Sequence, residues 1–272
     1  MTEFLTTDLG DRIAFDRYGD GPGLIFVAGA GPFRAIDPIT TETAELAAKQ
    51  GVATVVYDRI GRGESIPGDD GGTAPIGLDR ELAALRALMD VLGGSAALCG
   101  HSSGCSISLA AAAQGLPVTA LALWEAPIAP VGTVAEWIGE VERRMDAGDL
   151  EGALAHYMKD MPPVWLEESR KDPMYPQFVA MVVSYRADGE SLVWADSGPH
   201  AEVFADVRVP VEYLLGTETF DEMHVAAASV LAAVPGSVKK EMPGAFHSWE
   251  PAPMAAELAS FVRTATQADQ QG

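Results

Sequence analysis

Basic residues and cysteines are the scarce elements of this 272-residue chain: 18 Lys and Arg stand against 39 Asp and Glu, a formal charge of −21, and there are two cysteines. An excess of negative charge on this scale excludes nucleic acid and anionic membrane surfaces as partners, since both repel it. Cys99 and Cys105 lie too close in sequence to staple a chain of this length, so no disulfide framework is expected and both read as small buried hydrophobes. Long apolar runs are missing too. Gly, Pro or charge interrupts each one well short of a membrane span, and Met1 to Leu5 lack the basic and apolar segments of a secretion signal. A soluble, cytoplasmic protein without membrane contact is the expectation. No metal-ligand cluster, phosphate loop or dinucleotide fingerprint occurs, so no cofactor is expected. What the chain does have is 48% hydrophobic and 21% charged residues, a globular composition able to bury a large core.

The first half alternates short β-branched runs with helical patterns, the order that builds a mostly parallel sheet covered on both faces. Leu24–Val27, Val52–Tyr57, Ala96–Cys99 and Ala120–Trp124 read as buried strands, preceded by an antiparallel pair around Gly10-Asp11. Helices are predicted from Ala35 to Gln50, from Asp79 as N-cap to Leu92, and from Ser103 to Ala113. After Pro127 strand signals vanish until Val211, and the intervening stretch reads as helices rich in Met, Trp and Tyr. Thr133 to Glu136 has the form of a capping box, and Asp149 can cap the next helix. Strands resume at Val211–Leu215 and Val238–Met242, flanking a helix at Glu222–Ala233. A last helix over 253–264 precedes a polar tail.

Gly100-His101-Ser102-Ser103-Gly104 fits Gly-x-Ser-x-Gly directly after a predicted strand and before a predicted helix, the context in which that pattern has mechanical meaning. A turn this sharp leaves no room for side chains beside the serine, hence the flanking glycines. It also sets Ser102 at a helix N-terminus, where backbone N–H groups favour negative charge. A serine hydroxyl needs a base. Of the five histidines, His247 follows the last strand and reaches the same sheet edge; His101 is expected to point elsewhere by alternation, His156 and His200 to be surface groups, and His224 to lie in a helix. The carboxylate that orients His247 has three candidates. Glu125 ends the strand Ala120–Trp124, where a charge is hard to explain as packing. Glu218 and Asp221 stand near the other usual place, after Val211–Leu215, but the residue at that exact spacing is Thr219. Oxyanion donors are expected from the amides of Ser103 and of Ala30, in the loop Ala28-Gly29-Ala30-Gly31-Pro32, because Pro32 has no N–H to give.

With these residues in place the chain resembles the α/β-hydrolase superfamily over nearly its whole length. Asp58-Arg59-Ile60-Gly61-Arg62-Gly63-Glu64-Ser65 is similar to that family's Asp-x-x-Gly-x-Gly-x-Ser loop, which is scaffolding there. Gly-His-Ser-Ser-Gly with a strand ending Glu125-Ala126-Pro127 resembles a serine-nucleophile subgroup whose strand ends Glu-Pro-Pro, with Ala126 departing from it. The resemblance implies an α/β fold: a mostly parallel eight-stranded sheet with helices on both faces, formed by residues 1–127 and 206–272, and a helical cap over 128–205.

The function these expectations add up to is a serine hydrolase cleaving a neutral, largely apolar carboxylic ester or lactone through an acyl-enzyme. Ser102 is the nucleophile, His247 the base and then acid, and Glu125 its orienter. A field this negative disfavours anionic substrates. Phe33, Met161, Trp165 and Met181 are candidate pocket residues; the competing reading makes such side chains the cap's own core. Two other functions fit the same residues: an acyl-transfer or cyclising enzyme on the same triad, and a ligand-binding protein of low turnover.

Overall fold

The computed structural model describes residues 1–68, 75–128 and 132–269. In chain order the elements are β1 (Glu3–Thr6), β2 (Arg12–Tyr18), β3 (Gly23–Val27), α1 (Pro38–Ala48), β4 (Ala53–Tyr57), α2 (Leu78–Val91), β5 (Ala96–His101), α3 (Ser103–Ala113) and β6 (Val118–Trp124). Six helices follow: α4 (Val134–Asp146), α5 (Leu150–Tyr157), α6 (Pro163–Ser169), α7 (Tyr175–Met181), α8 (Tyr185–Ala195) and α9 (His200–Val203). The chain then returns to the sheet with β7 (Val211–Glu218), α10 (Asp221–Ala233), β8 (Val238–Ala245), β9 (Ser248–Trp249) and α11 (Pro251–Asp269).

The strands form one sheet in the order β1-β2-β4-β3-β5-β6-β7-β8-β9. The six from β4 to β8 in that order are parallel, while β2 runs antiparallel to β4 and to β1. The ninth strand, beyond the eight expected, is the two-residue β9 folded back on the end of β8. Parallel strands buried on both faces need apolar side chains on both, which is why β3 to β6 read as unbroken runs. Ile25, Val27, Leu98, Leu121 and Leu123 point to the core under α2, α3 and α10, and Leu24, Phe26, Cys99, Ala122 and Trp124 to the core under α1 and α11. Both cysteines are buried and unpaired.

Helix starts are where the sequence reading needs correction. The segment from Ala35 is a 3₁₀ turn (Arg34–Ile36), and α1 begins at Pro38, whose fixed φ suits a first helical position, with Asp37 Oδ1 accepting from the Thr40 amide at 3.0 Å. Asp79 lies inside α2 and Gly77 is its N-cap; the Leu78 amide donates to Glu190 Oε2 at 2.6 Å. At α4, Asp196 Oδ2 accepts from the Val134 amide at 2.9 Å and Thr133 makes no side-chain cap bond. Both helices are thus capped by carboxylates more than 60 residues away in sequence, which no local motif encodes. Asp149 does cap α5, through the Gly152 amide. The tail expected after Thr264 continues α11 to Asp269, and 270–272 lie outside the described residues.

The helices between β6 and β7 have a core of their own, including Ile138, Val141, Leu154, Tyr157, Val182 and Leu192. Of these helices α8 packs against α2 and α3, and α9 against α10, so both lean on the layer that covers the sheet. The expected start of this insert falls beside 129–131, which are not described. Among the described residues no helix is long and apolar enough to cross a membrane.

Candidate active site

Four non-glycine residues among those described have φ in the left-handed region: Ser102 (54°), Glu125 (46°), Phe246 (51°) and His247 (69°). Each such residue costs roughly 1–2 kcal/mol and persists where its surroundings over-determine it. Three of the four are the residues singled out for the triad.

Ser102 stands between β5 and α3 with ψ −129°. Its amide donates to Trp124 O at 3.0 Å, tying the turn to the neighbouring strand. A Cβ on Gly100 would come within 2.6 Å of Cys105 Cα, and one on Gly104 would collide with the Val27 carbonyl, so both flanks must be glycine. Glu125 follows β6, fully buried, its own amide bonded to Leu214 O. Its Oε2 lies 2.5 Å from His247 Nδ1 and its Oε1 accepts from the Gly216 amide at 3.0 Å. Thr219, at the spacing where aspartate was sought, interacts with this same carboxylate through its hydroxyl. Burial alone would raise the Glu125 pKa, but the bonds from His247, Thr219 and Gly216 outweigh it and hold the carboxyl below its ordinary value. A charged Glu125 requires the proton of His247 on Nδ1 and leaves Nε2 as the basic nitrogen.

The two other acid candidates are elsewhere. Asp221 is exposed in the first turn of α10 and Glu218 exposed at the end of β7, and neither lines the cavity that holds Ser102 and His247. That cavity encloses about 1370 Å³. Its wall includes Trp137, Tyr157, Phe178 and Tyr185 from the insert, facing Phe220 and Met223 from the core. Met161 and Trp165 line it, and Trp165 meets Phe220 edge to face at 6.1 Å, an aromatic contact between α6 and the β7–α10 loop. Phe33 and Met181 do not. Phe33 is in extended backbone (φ −147°, ψ 163°), so it faces opposite to its cavity-lining neighbour Pro32 and is buried. Met181 is buried at the end of α7, and Phe178, one turn earlier, faces the cavity in its place.

The expected oxyanion residues adjoin each other. Ser103 begins α3, and the Ala30 amide donates to Ser103 Oγ at 3.1 Å, while that hydroxyl donates to Asp188 Oδ1 at 2.7 Å. Among the described residues no group of three or more His, Cys, Asp or Glu is arranged to hold a metal ion.

Two histidines differ from expectation. His200 is buried, bonded to Ser229 Oγ and stacked on Phe204. His101 does not turn away from the site: its ring lies 4.8 Å from that of His247, and its Nε2 donates to the His247 carbonyl at 2.8 Å, beside Trp124 Nε1 at 3.3 Å. These two donors hold the left-handed backbone at His247. Burial, then the proximity of His247, push the His101 pKa down to about 4 from 6.5. The unfolded chain therefore binds a proton below pH 6.5 that the folded chain refuses until about pH 4, so stability falls as pH drops through that window. The full window is worth about 3 kcal/mol. His101→Gln keeps a donor and does not titrate, so urea unfolding between pH 7 and pH 4 is expected to show a shallower loss than in the wild type; parallel curves would refute it.

A sequence profile of the alpha/beta hydrolase family matches residues 24–262. Among solved structures, an alpha/beta hydrolase from Sphaerobacter thermophilus is 28% identical, with a TM-score of 0.78 over 95% of this chain and 99% of that one. A hydrolase from Pseudomonas aeruginosa is 21% identical (TM-score 0.66, 96% and 97% covered), and the enol-lactonase from Burkholderia xenovorans 17% identical (0.60, 97% and 98% covered). None of the curated proteins compared matches the chain. With the elbow and every strand from Leu24 of β3 onward inside the matched span, the chain belongs to the alpha/beta hydrolase family.

Proposed function

We propose that the protein is a serine hydrolase that cleaves a neutral, largely apolar carboxylic ester or lactone through an acyl-enzyme. The observation carrying this reading is that strained Ser102 and His247 meet at one apolar cavity, with strained Glu125 buried behind them and holding His247 Nδ1. His247 Nε2 takes the Ser102 proton as the hydroxyl oxygen attacks the acyl carbon, and returns it to the leaving alkoxide. Water then repeats the sequence on the acyl-enzyme. The negative oxygen of each tetrahedral intermediate is met by the Ser103 and Ala30 amides. The Ala30 proton already has a neutral acceptor in Ser103 Oγ, and a charged oxygen competes for it with roughly twice the strength. That contact is stronger in the transition state than before it, which is the condition for lowering a barrier. The insert acts as a cap whose aromatic wall receives the substrate's apolar part.

A panel of p-nitrophenyl esters and γ- to ε-lactones tests the reading. Turnover is expected to favour bulky apolar acyl groups over acetate and over acyl groups bearing a carboxylate. Trp165→Ala is expected to raise KM several-fold for the bulky esters with kcat little changed, since the ring contributes uniform binding. No turnover of any ester or lactone, with no fluorophosphonate adduct on Ser102, would refute the proposal.

A further inference from the structure

The loop Asp58–Ser65, read from sequence as scaffolding, divides in two. Asp58 and Ser65 brace their own surroundings: Asp58 accepts from the Arg34 and Glu64 amides, and Ser65 Oγ joins Asp58 O to the Ala14 amide. Arg59 and Arg62 instead reach under the oxyanion loop. Arg62 Nη1 donates to Gly29 O at 2.5 Å, and Arg59 Nη1 donates to Ala28 O at 3.1 Å and Gly29 O at 3.3 Å. Both guanidiniums are essentially inaccessible to water, and buried cations need a partner. Asp188, fully buried on α8, supplies it to both, with Oδ1 2.6 Å from Arg59 Nη1 and Oδ2 2.8 Å from Arg62 Nη2. Its Oδ1 also accepts from the hydroxyl of Ser103. Glu81, 3.3 Å from Arg59 Nε, completes a cluster of two positive and two negative groups.

A trans peptide is planar, with its carbonyl and N–H pointing opposite ways, and no peptide bond described here is cis. The Gly29 carbonyl and the Ala30 N–H belong to one such plane. Anchoring the oxygen to two guanidiniums therefore fixes the direction of the N–H on the other side. We propose that Asp188 is a positioning residue for the oxyanion site: through Arg59 and Arg62 it sets the Gly29–Ala30 peptide plane, and through Ser103 Oγ it braces the second donor. The inference rests on the ester-hydrolase reading above. It makes the insert more than a cover, because α8 carries the carboxylate that both oxyanion donors depend on, 129 and 126 residues along the chain from Arg59 and Arg62 and 85 from Ser103. It also gives this buried ion cluster a purpose that stability does not, since such clusters replaced by apolar groups are often no less stable.

The test compares the wild type with Asp188→Asn, Arg62→Met and Arg62→Lys, using p-nitrophenyl butyrate turnover, inhibition by an aliphatic trifluoromethyl ketone, and thermal melting. Wild-type turnover that Ser102→Ala removes establishes the underlying reading independently of these variants; its absence sinks that reading, and the positioning role with it. Given turnover, Asp188→Asn and Arg62→Met are expected to lower kcat roughly 10- to 100-fold, less than outright removal of a donor, with KM within about threefold. The ketone, which binds as a tetrahedral oxyanion, is expected to weaken by the same factor as kcat/KM. Arg62→Lys keeps the charge balance and loses the fork that spans Gly29 O and Asp188, so it folds even where the neutralised variants do not, and an intermediate loss of kcat is expected. An Arg62→Lys enzyme with wild-type kcat and ketone affinity overturns the proposal, as does a loss in any folded variant that falls on KM alone.

Discussion

Ser102→Ala is expected to lower hydrolysis of p-nitrophenyl esters by at least about 10⁴-fold and to abolish labelling by a fluorophosphonate. Without the hydroxyl no acyl-enzyme forms, and the two amides can then do no more than assist attack by water. KM is expected to stay near the wild-type value, because the apolar wall that binds substrate is untouched. A second substitution at the same place separates chemistry from stability. Ser102 holds φ 54° and ψ −129°, a conformation that glycine adopts without a Cβ clash. Relief of that strain, offset in part by glycine's greater freedom in the unfolded chain, leaves Ser102→Gly stabilised by about 1 kcal/mol, or roughly 2–4 °C in Tm. Ser102→Ala keeps the strain and melts with the wild type. A raised melting point in the inactive glycine variant would mean that the enzyme holds its nucleophile at the expense of stability. Undiminished turnover in Ser102→Ala would remove Ser102 from the chemistry.

The sheet was legible because its strands are doubly buried: an apolar run such as Leu24–Val27 or Ala120–Trp124 has few other uses in a chain of this charge. The elbow was legible because sterics at Gly100 and Gly104 leave a local trace. The sequence places His247 after the strand Val238–Met242, and it stands in the turn between β8 and β9 with Nδ1 against Glu125. What stayed hidden involves partners far apart in sequence. Glu190 and Asp196 cap helices that begin over 60 residues earlier, so the local signal at Asp79 falls two residues inside the N-cap at Gly77. Asp188 looks like one more acid on an amphipathic helix, and nothing near it announces two buried arginines. Strand alternation points His101 away from the site, but at the last residue of β5 the strand gives way to the elbow, so alternation no longer sets its direction. Phe33 stands beside the oxyanion loop and Met181 in the methionine-rich insert, but neither fact carries the register that turns Phe33 away from Pro32 or sets Phe178 rather than Met181 toward the cavity.

The largest remaining effect is at Glu125, and it discriminates among three acids. Oε1 accepts from the Gly216 amide and Oε2 from the Nδ1 proton of His247, with the Thr219 hydroxyl a further neighbour of the carboxylate. A carboxamide of the same shape has one acceptor and one NH₂, so Glu125→Gln cannot serve both. With its oxygen toward Gly216, the NH₂ faces Nδ1 and drives the imidazole proton to Nε2, the nitrogen that has to accept the Ser102 proton. With its oxygen toward His247, a buried NH₂ confronts the Gly216 N–H and leaves it unpaired, a cost of about 1–3 kcal/mol. The first arrangement avoids that cost, so Glu125→Gln is expected to lose about 10³- to 10⁴-fold in kcat. Asp221→Asn and Glu218→Gln, both on exposed residues outside the cavity, are expected to stay within about twofold. The acid side offers an independent check. The Glu125 carboxyl is held below its ordinary value, so its charged form adds stability above that value, and this is lost as pH falls through the lower, folded value. The gap in stability between wild type and Glu125→Gln should therefore be widest near neutrality and shrink below about pH 4. If Glu125→Gln retains wild-type kcat while Asp221→Asn loses it, the orienting acid lies on α10 and the Glu125–His247 contact is structural.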